Sequence, residues 1–223
     1  EISLPNPCFS AAFEKASKMK DAQARRQFLT FAVIGGGPTG TELAAELKQL
    51  FSDTFGKYYH NIYCAEEASV YLLQRGGELV PQFTPWMRRY VKDVLAHKGV
   101  NVLFNSTVTE VTPEGIFLAG GRFTQHQVAG ELGAGFITAP HAIWVAGVAP
   151  KLCPFVPAAS CDASGRIHTN EYLNVIPAEA GIQARIFALG DNAHVTDAQG
   201  NSLPMLAQVA VRQAPVVAKN IVA

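Results

Sequence analysis

A run of apolar residues that ends abruptly in glycine constrains the fold of this 223-residue chain more than any other feature. Leu29-Thr30-Phe31-Ala32-Val33-Ile34 has the length and side-chain character of a buried strand, and Gly35-Gly36-Gly37-Pro38-Thr39-Gly40 follows with no intervening loop. Gly35, Gly37 and Gly40 fill the glycine positions of G-x-G-x-x-G. The first permits a tight turn, the second lets backbone approach a pyrophosphate, and the third packs helix against strand. The amphipathic run from Glu42 to Leu50 supplies the helix, whose opening N–H groups and positive dipole end suit a diphosphate. The pattern predicts a dinucleotide held by Gly35, Gly37, Pro38, Thr39 and Gly40.

Residues 69–74 (Ser-Val-Tyr-Leu-Leu-Gln) read as a second strand. Its end is where a fold of this kind places an acid against the adenosine ribose. Here Gln74 is followed by Arg75. A neutral amide beside a guanidinium removes the repulsion that an acid imposes on a 2′-phosphate, and arginine can pair with one. The alternative is that Gln74 still bonds the ribose hydroxyls while Arg75 faces water, so NADH and NADPH both stay open. Val100–Phe104 reads as a third strand, and 107–111 with 115–118 as a hairpin across Pro113-Glu114. The helix opening at Thr84-Pro85 places Trp86, Tyr90, Val94 and Leu95 on an apolar face, with Trp86 in the core. A strand from His141 ends at Ala146 and Gly147, small enough for a cofactor to lie against backbone.

The remainder is less regular. Phe9, Ala12, Phe13 and Ala16 recur at helical spacing, which predicts a helical lead-in packed on the next domain. Residues 51–61 read as a helix end and an insertion. His126, Gly130, Gly133 and Gly135 fall in a polar extended stretch. Near Ala149 prolines multiply, which predicts a crossing between domains: a lead-in over 1–27, an NAD(P)H-binding domain over 28–149, and part of a second domain over 150–223. In that portion, Arg185–Ala193 forms a second strand–turn unit, where Asp191 either bonds a cofactor polyol or caps the turn. A helix follows, with Gln208 and Arg212 four apart on one face.

Zero formal net charge gives no means of electrostatic capture of nucleic acid, and none is expected as a partner. No apolar run approaches the ~18 residues that span a bilayer. Cys8, Cys64, Cys153 and Cys161 form no C-x-x-C pair, so neither a zinc knuckle nor a redox dithiol is expected, and a reducing compartment fits best.

Gly35–Glu42 with Leu43-Ala44-Ala45-Glu46-Leu47, Trp144-Val145-Ala146-Gly147, Gly190-Asp191 and Ala207-Gln208-Val209-Ala210 occur in the order seen in type II NADH:quinone oxidoreductases. The chain resembles these two-dinucleotide-domain flavoproteins from about Phe13 to Ile221. The resemblance implies an α/β architecture, a Rossmann-like nicotinamide domain of parallel sheet plus hairpin with part of a second such domain. It also implies electron transfer from NAD(P)H through FAD to ubiquinone or menaquinone without proton pumping. By that likeness Glu42 sits near flavin and quinone at a buried position suited to proton handling. Gly190 and Asp191 bind FAD, and Ala207 and Gln208 border the isoalloxazine and the quinone headgroup. Arg212 stands where the family commonly has a second glutamine.

The family's FAD diphosphate turn has no counterpart before Gly35, and its amphipathic membrane anchor would follow Ala223. The chain therefore reads as a fragment that binds pyridine nucleotide and retains little FAD. A nucleotide-sensing module without turnover is the alternative. The whole protein is expected peripheral to the mitochondrial inner membrane or the bacterial plasma membrane, on the reducing side, with homodimerisation possible. A sulfide:quinone or disulfide reductase needs redox cysteines by the flavin, which Cys153 and Cys161 in a proline-rich loop do not suggest.

Overall fold

Thr30–Ile34 forms β1, and all five residues are buried, as in a strand covered on both faces. The computed structural model describes residues 9–119, 122–123, 135–150, 159–178 and 185–222. Cys8, His126, Gly130, Gly133 and Cys153 lie outside them.

Among the described residues, two helices precede β1. The first, α1 (Phe9–Ser17), buries Ala12, Phe13 and Ala16, and α2 (Ala22–Phe28) starts where the Asp21 carboxylate accepts from Gln23 N at 2.9 Å. Phe13 stacks on Phe31 of β1 at 6.2 Å and meets Phe55 edge-on at 4.6 Å, so the lead-in contributes to the core itself. After the glycine turn comes α3 (Pro38–Gln49). The sequence predicts a helix end near residue 51, but the helix continues as a π-helical stretch, Leu50–Phe55, into α4 (Gly56–Tyr58). The reason is Phe51, wholly buried against Phe13, Phe31 and Phe55, which holds the extra turns on the core.

Next are α5 (Cys64–Glu67), β2 (Ser69–Leu73), α6 (Pro85–His97) and β3 (Asn101–Phe104). The remaining strands here are β4 (Thr107–Val111), β5 (Ile116–Ala119), β6 (Arg122–Phe123), β7 (Phe136–Ile137) and β8 (His141–Trp144). One sheet has the order β6-β3-β2-β1-β8, parallel except for β6; a second is the antiparallel set β4-β5-β7, which contains the expected hairpin. This is a Rossmann-type α/β fold with an antiparallel meander. The chain runs outward from β1 through β2 to β3, then returns to place β8 on the other side of β1. Strand order thus reverses at β1, and ligands in such sheets bind at the carboxyl ends flanking that reversal.

Trp86 departs from its expected core position. It is exposed and stacks on Tyr90 at 5.7 Å, while Leu95 is the buried residue of α6. At about 100° per residue, Trp86 lies roughly 180° around the helix from Leu95. The stripe that faces the protein runs through Val91 and Leu95 instead.

The chain divides into two compact units, Glu1–Gly147 and Val148–Ala223. In the second, β9 (Ile167–His168) pairs in parallel with β10 (Ala193–His194), and antiparallel bridges join Thr169 to Val175 and Asn174 to Phe187. A single 3-10 turn, Gly190–Asn192, precedes β10, and α7 spans Ala207–Val222. Ile167, Val175, Ala188 and Ala193 form its small core.

Candidate functional site: two glycine turns

β1 ends at the crossover, and its exit is a turn that only glycine can make. Gly35 has φ +122°, and a Cβ there would lie 2.9 Å from the Ala146 backbone, just past β8. A Cβ on Gly40 would lie 1.8 Å from the Gly35 carbonyl, so the start of α3 rests directly on the turn. Gly37 behaves differently: a Cβ added to it meets nothing within 4 Å. Its backbone is ordinary (φ −78°, ψ −176°), so conformation does not demand glycine; open space for an approaching group does.

The donors there have no protein acceptor. Pro38 opens α3, where its missing N–H costs nothing, and Gly37 supplies no side-chain cap. Among the described residues, no protein group accepts from the N–H of Gly37, Thr39 or Gly40. The first hydrogen bond of the helix is Thr41 N to Gly37 O at 3.0 Å, and the Thr41 hydroxyl, bonded to the Gly37 and Pro38 carbonyls, fixes that start. Unsatisfied N–H groups at a helix N-terminus beside open space fit an anion such as a diphosphate.

Gln74 belongs to this construction. Its Oε1 accepts from Gly36 N at 3.0 Å and its Nε2 donates to Glu78 O at 2.9 Å. Val80 N to Gly36 O at 2.8 Å completes the clamp, drawing the loop after β2 onto the turn. Arg75 is exposed beside it. The far wall of that loop borders a cavity of about 580 Å³, which Arg88, Arg89 and Lys92 of α6 also line. Ala146 and Gly147, both exposed, follow β8 at the crossover, and Gly147 has φ +92°.

Glu42 lies on the exposed side of α3, so its carboxylate is not the buried group the sequence suggested. Its neighbours Thr41 and Ala44 take the inward positions of the helix.

In the second unit Gly190 also adopts positive φ, +64°, and Asp191 stands exposed in the one-turn helix that follows. Gly190 N donates to Gln213 Oε1 at 2.7 Å. Gln213 is 8% exposed and is a residue that sequence reasoning missed. The buried glutamine of α7 is this one; Arg212, singled out as standing in a glutamine's place, is its exposed neighbour. Ala207 and Gln208 begin α7 and are both exposed. Among the described residues, no hydrogen bond engages the side chains of Asp191 or Gln208, which leaves a carboxylate and a carboxamide available to a polyol or a flavin edge. The structure thus gathers Gly35, Gly37, Gly40, Gln74 and Ala146 at one turn, and Gly190 with Gln213 at another.

Among the described residues no group of three or more His, Cys, Asp or Glu side chains could hold a metal ion. Cys64 is buried, and burial pushes its thiol pKa up, as expected of an inert cysteine.

Residues 4–214 match the profile of the pyridine nucleotide-disulphide oxidoreductases. The chain belongs to this family. Within the family it is similar to a type II NADH:quinone oxidoreductase of Haemophilus influenzae, 29% identical over 195 residues, or 87% of this chain and 40% of that one. It is also similar to an internal alternative NAD(P)H-ubiquinone oxidoreductase A1, mitochondrial, of Solanum tuberosum, at 30% over 194 residues, 86% of this chain and 34% of that one. The chain therefore spans well under half the length of these relatives. NDH2 of Plasmodium falciparum, solved in complex with NADH, superposes with a TM-score of 0.65 at 22% identity, covering 83% of this chain and 36% of that one, and shares the fold.

Proposed function

We propose that this chain supplies the nicotinamide-nucleotide part of an FAD-dependent NAD(P)H:quinone oxidoreductase. The open face of Gly37, beside helix N–H groups with no protein acceptor, carries the reading. Gly37, Thr39 and Gly40 hold the diphosphate through backbone donors, each such charge-assisted bond contributing about 1.5–3 kcal/mol. Pro38 keeps the helix start rigid, and Ala146 and Gly147 border the nicotinamide without a bulky side chain. Gly190 and Asp191 hold the FAD polyol, while Ala207 and Gln208 border the isoalloxazine and the quinone headgroup. Bound FAD supplies the two-electron relay between nicotinamide and quinone.

The overall reaction is NAD(P)H plus a proton plus quinone giving NAD(P)⁺ plus quinol, and Glu42 offers a carboxylate that exchanges protons. The bacterial and the mitochondrial relative are named for quinone and ubiquinone oxidoreduction, which supports a quinone acceptor; ubiquinone or menaquinone as that quinone, reduced without proton pumping, belongs to the same reading. Peripheral attachment to the mitochondrial inner membrane or the bacterial plasma membrane belongs to the same reading, as does a homodimer. Among the described residues no helix is long and apolar enough to cross a membrane.

A second reading has its own support. The Gly190 N–H is already consumed by Gln213, so that turn offers no further backbone donor from this glycine. The chain alone then binds nucleotide without turnover. The test mixes the purified chain with NAD(P)H and a short-chain quinone, with and without added FAD. The expected outcome is enhanced nicotinamide fluorescence with no flavin retained and no quinol formed. The parent protein, if it carries a further G-x-G-x-x-G, turns over. Quinone reduction by the chain without FAD would contradict the assignment.

A further inference from the structure

The loop after β2 has two sides. One side closes on the glycine turn through Val80 N to Gly36 O at 2.8 Å and through the Gln74 amide. The other side, Gly77–Leu79, walls the cavity of about 580 Å³ against the first turns of α6 and the end of β3. Three cations line that cavity: Arg88, Arg89 and Lys92. It contains one carboxylate, Glu78, which is ion-paired with Arg88 Nη1. Lys92 Nζ stands 6.0 Å from the Phe104 ring centroid, and Arg89 and Lys92 are exposed. Arg75 adds a further exposed cation on the same loop, immediately after Gln74.

Gln74 also limits which coenzyme the loop can favour. A glutamate at this position could accept from Gly36 N but could not donate to the Glu78 carbonyl, and two oxygens would face each other across 2.9 Å. The clamp therefore needs an amide where a coenzyme site selective for a free ribose diol places a carboxylate. The position can neither grip the diol with an anion nor repel a phosphate.

We infer that the adenosine end of the site selects a 2′-phosphorylated pyridine nucleotide, with Arg75, Arg89 and Lys92 recognising the phosphate. This rests on the proposed reading that the Gly35–Gly40 turn holds a pyridine nucleotide. A 2′-phosphate carries nearly two negative charges. Arginine meets it with a forked donor and lysine with a point charge. Arg88, already tied to Glu78, sets the wall and takes no part in selection.

Titrating the chain with NADPH and with NADH by nicotinamide fluorescence tests this, at low and at high ionic strength. NADPH is expected to bind at least about tenfold tighter than NADH, the return of one charge-assisted hydrogen bond. High salt should narrow the gap, because these cations are exposed. Arg75→Ala, and Arg89→Ala combined with Lys92→Ala, should each weaken NADPH about tenfold and leave NADH within about twofold, with thermal unfolding unchanged. Adenosine 2′,5′-bisphosphate should displace NADPH where 5′-AMP at the same concentration does not. Equal affinities for the two coenzymes would overturn the inference alone, as would cation variants that weaken both alike. If neither coenzyme binds, the glycine-turn reading fails and takes this one with it.

Discussion

Two glutamines hold two glycine turns in this molecule, and the turns present different groups outward. Gln74 accepts from Gly36 N at 3.0 Å, and Gln213 accepts from Gly190 N at 2.7 Å. In each case a carboxamide from elsewhere in the unit satisfies a turn donor. The difference lies in the helix behind each turn. After the first comes the 12-residue α3, which leaves backbone donors unspent. After the second comes only Gly190–Asn192, and the polar group offered outward there is the Asp191 carboxylate. One turn presents backbone N–H groups, which suit an anion; the other presents a carboxylate, which suits hydroxyl donors. Turn geometry alone does not make a phosphate site: the length of helix behind it decides.

The largest expected effect breaks the first turn outright. Gly40→Ala puts a methyl 1.8 Å from the Gly35 carbonyl, and the strand–helix contact must open. A loss of about 3 kcal/mol or more in urea unfolding is expected, at the top of the range for overpacked sites. Gln213→Ala should cost about 2 kcal/mol by leaving the Gly190 N–H unpaired, while coenzyme affinity of the first unit stays within about twofold. A matching loss of coenzyme affinity would show that the two turns do not act separately.

Gln74→Glu keeps the acceptor for Gly36 N and loses the donor to Glu78. About 1 kcal/mol of stability should go, and NADH and NADPH should both bind more weakly as the turn loosens. Asp191→Asn is expected to leave coenzyme binding by the chain unchanged, because that carboxylate lies in the second unit.

The smallest effect is a pH dependence of the first unit. His141 packs on Phe31 at 4.6 Å, its Nε2 buried without a hydrogen-bond partner among the described residues, and burial lowers its pKa below the ordinary 6.5. The folded state then binds this proton less readily than the unfolded chain. Stability should be full above pH 6.5 and decline as pH falls below it, and His141→Gln should flatten that decline. Glu67 acts in the same sense at lower pH. Its hydrogen bonds to Arg25, at 2.5 and 3.0 Å, hold its carboxyl below the usual value, so that contribution fades as pH falls through the acid range.

Much of the first unit was legible because its local rules agree. An apolar strand, a glycine at each required position and Pro38 at the helix start all point to one turn, and the structure builds that turn from those residues. Trp86 was misplaced because apolar residues on α6 fall on two sides of the helix, and sequence spacing did not reveal which side meets the sheet. Phe51 extended its helix through tertiary packing with Phe13, which lies 38 positions earlier and has no local signature. Gln213 was invisible because its partner is a backbone N–H, which no side-chain pattern marks. At Gln74 the sequence points toward a ribose, whereas the amide is bound to protein on both sides.

The most direct test of the central claim replaces the glycine of the Gly35–Gly40 turn that neither conformation nor packing requires. Gly37→Val should fold with unchanged circular dichroism, since its Cβ enters open space and its φ of −78° suits any residue. Titrated against NADPH and NADH, the variant should lose affinity by about a hundredfold or more, as a side chain fills the place of the diphosphate. Saturation at the same concentrations as the unsubstituted chain would mean that the nucleotide, if bound, does not lie at this turn.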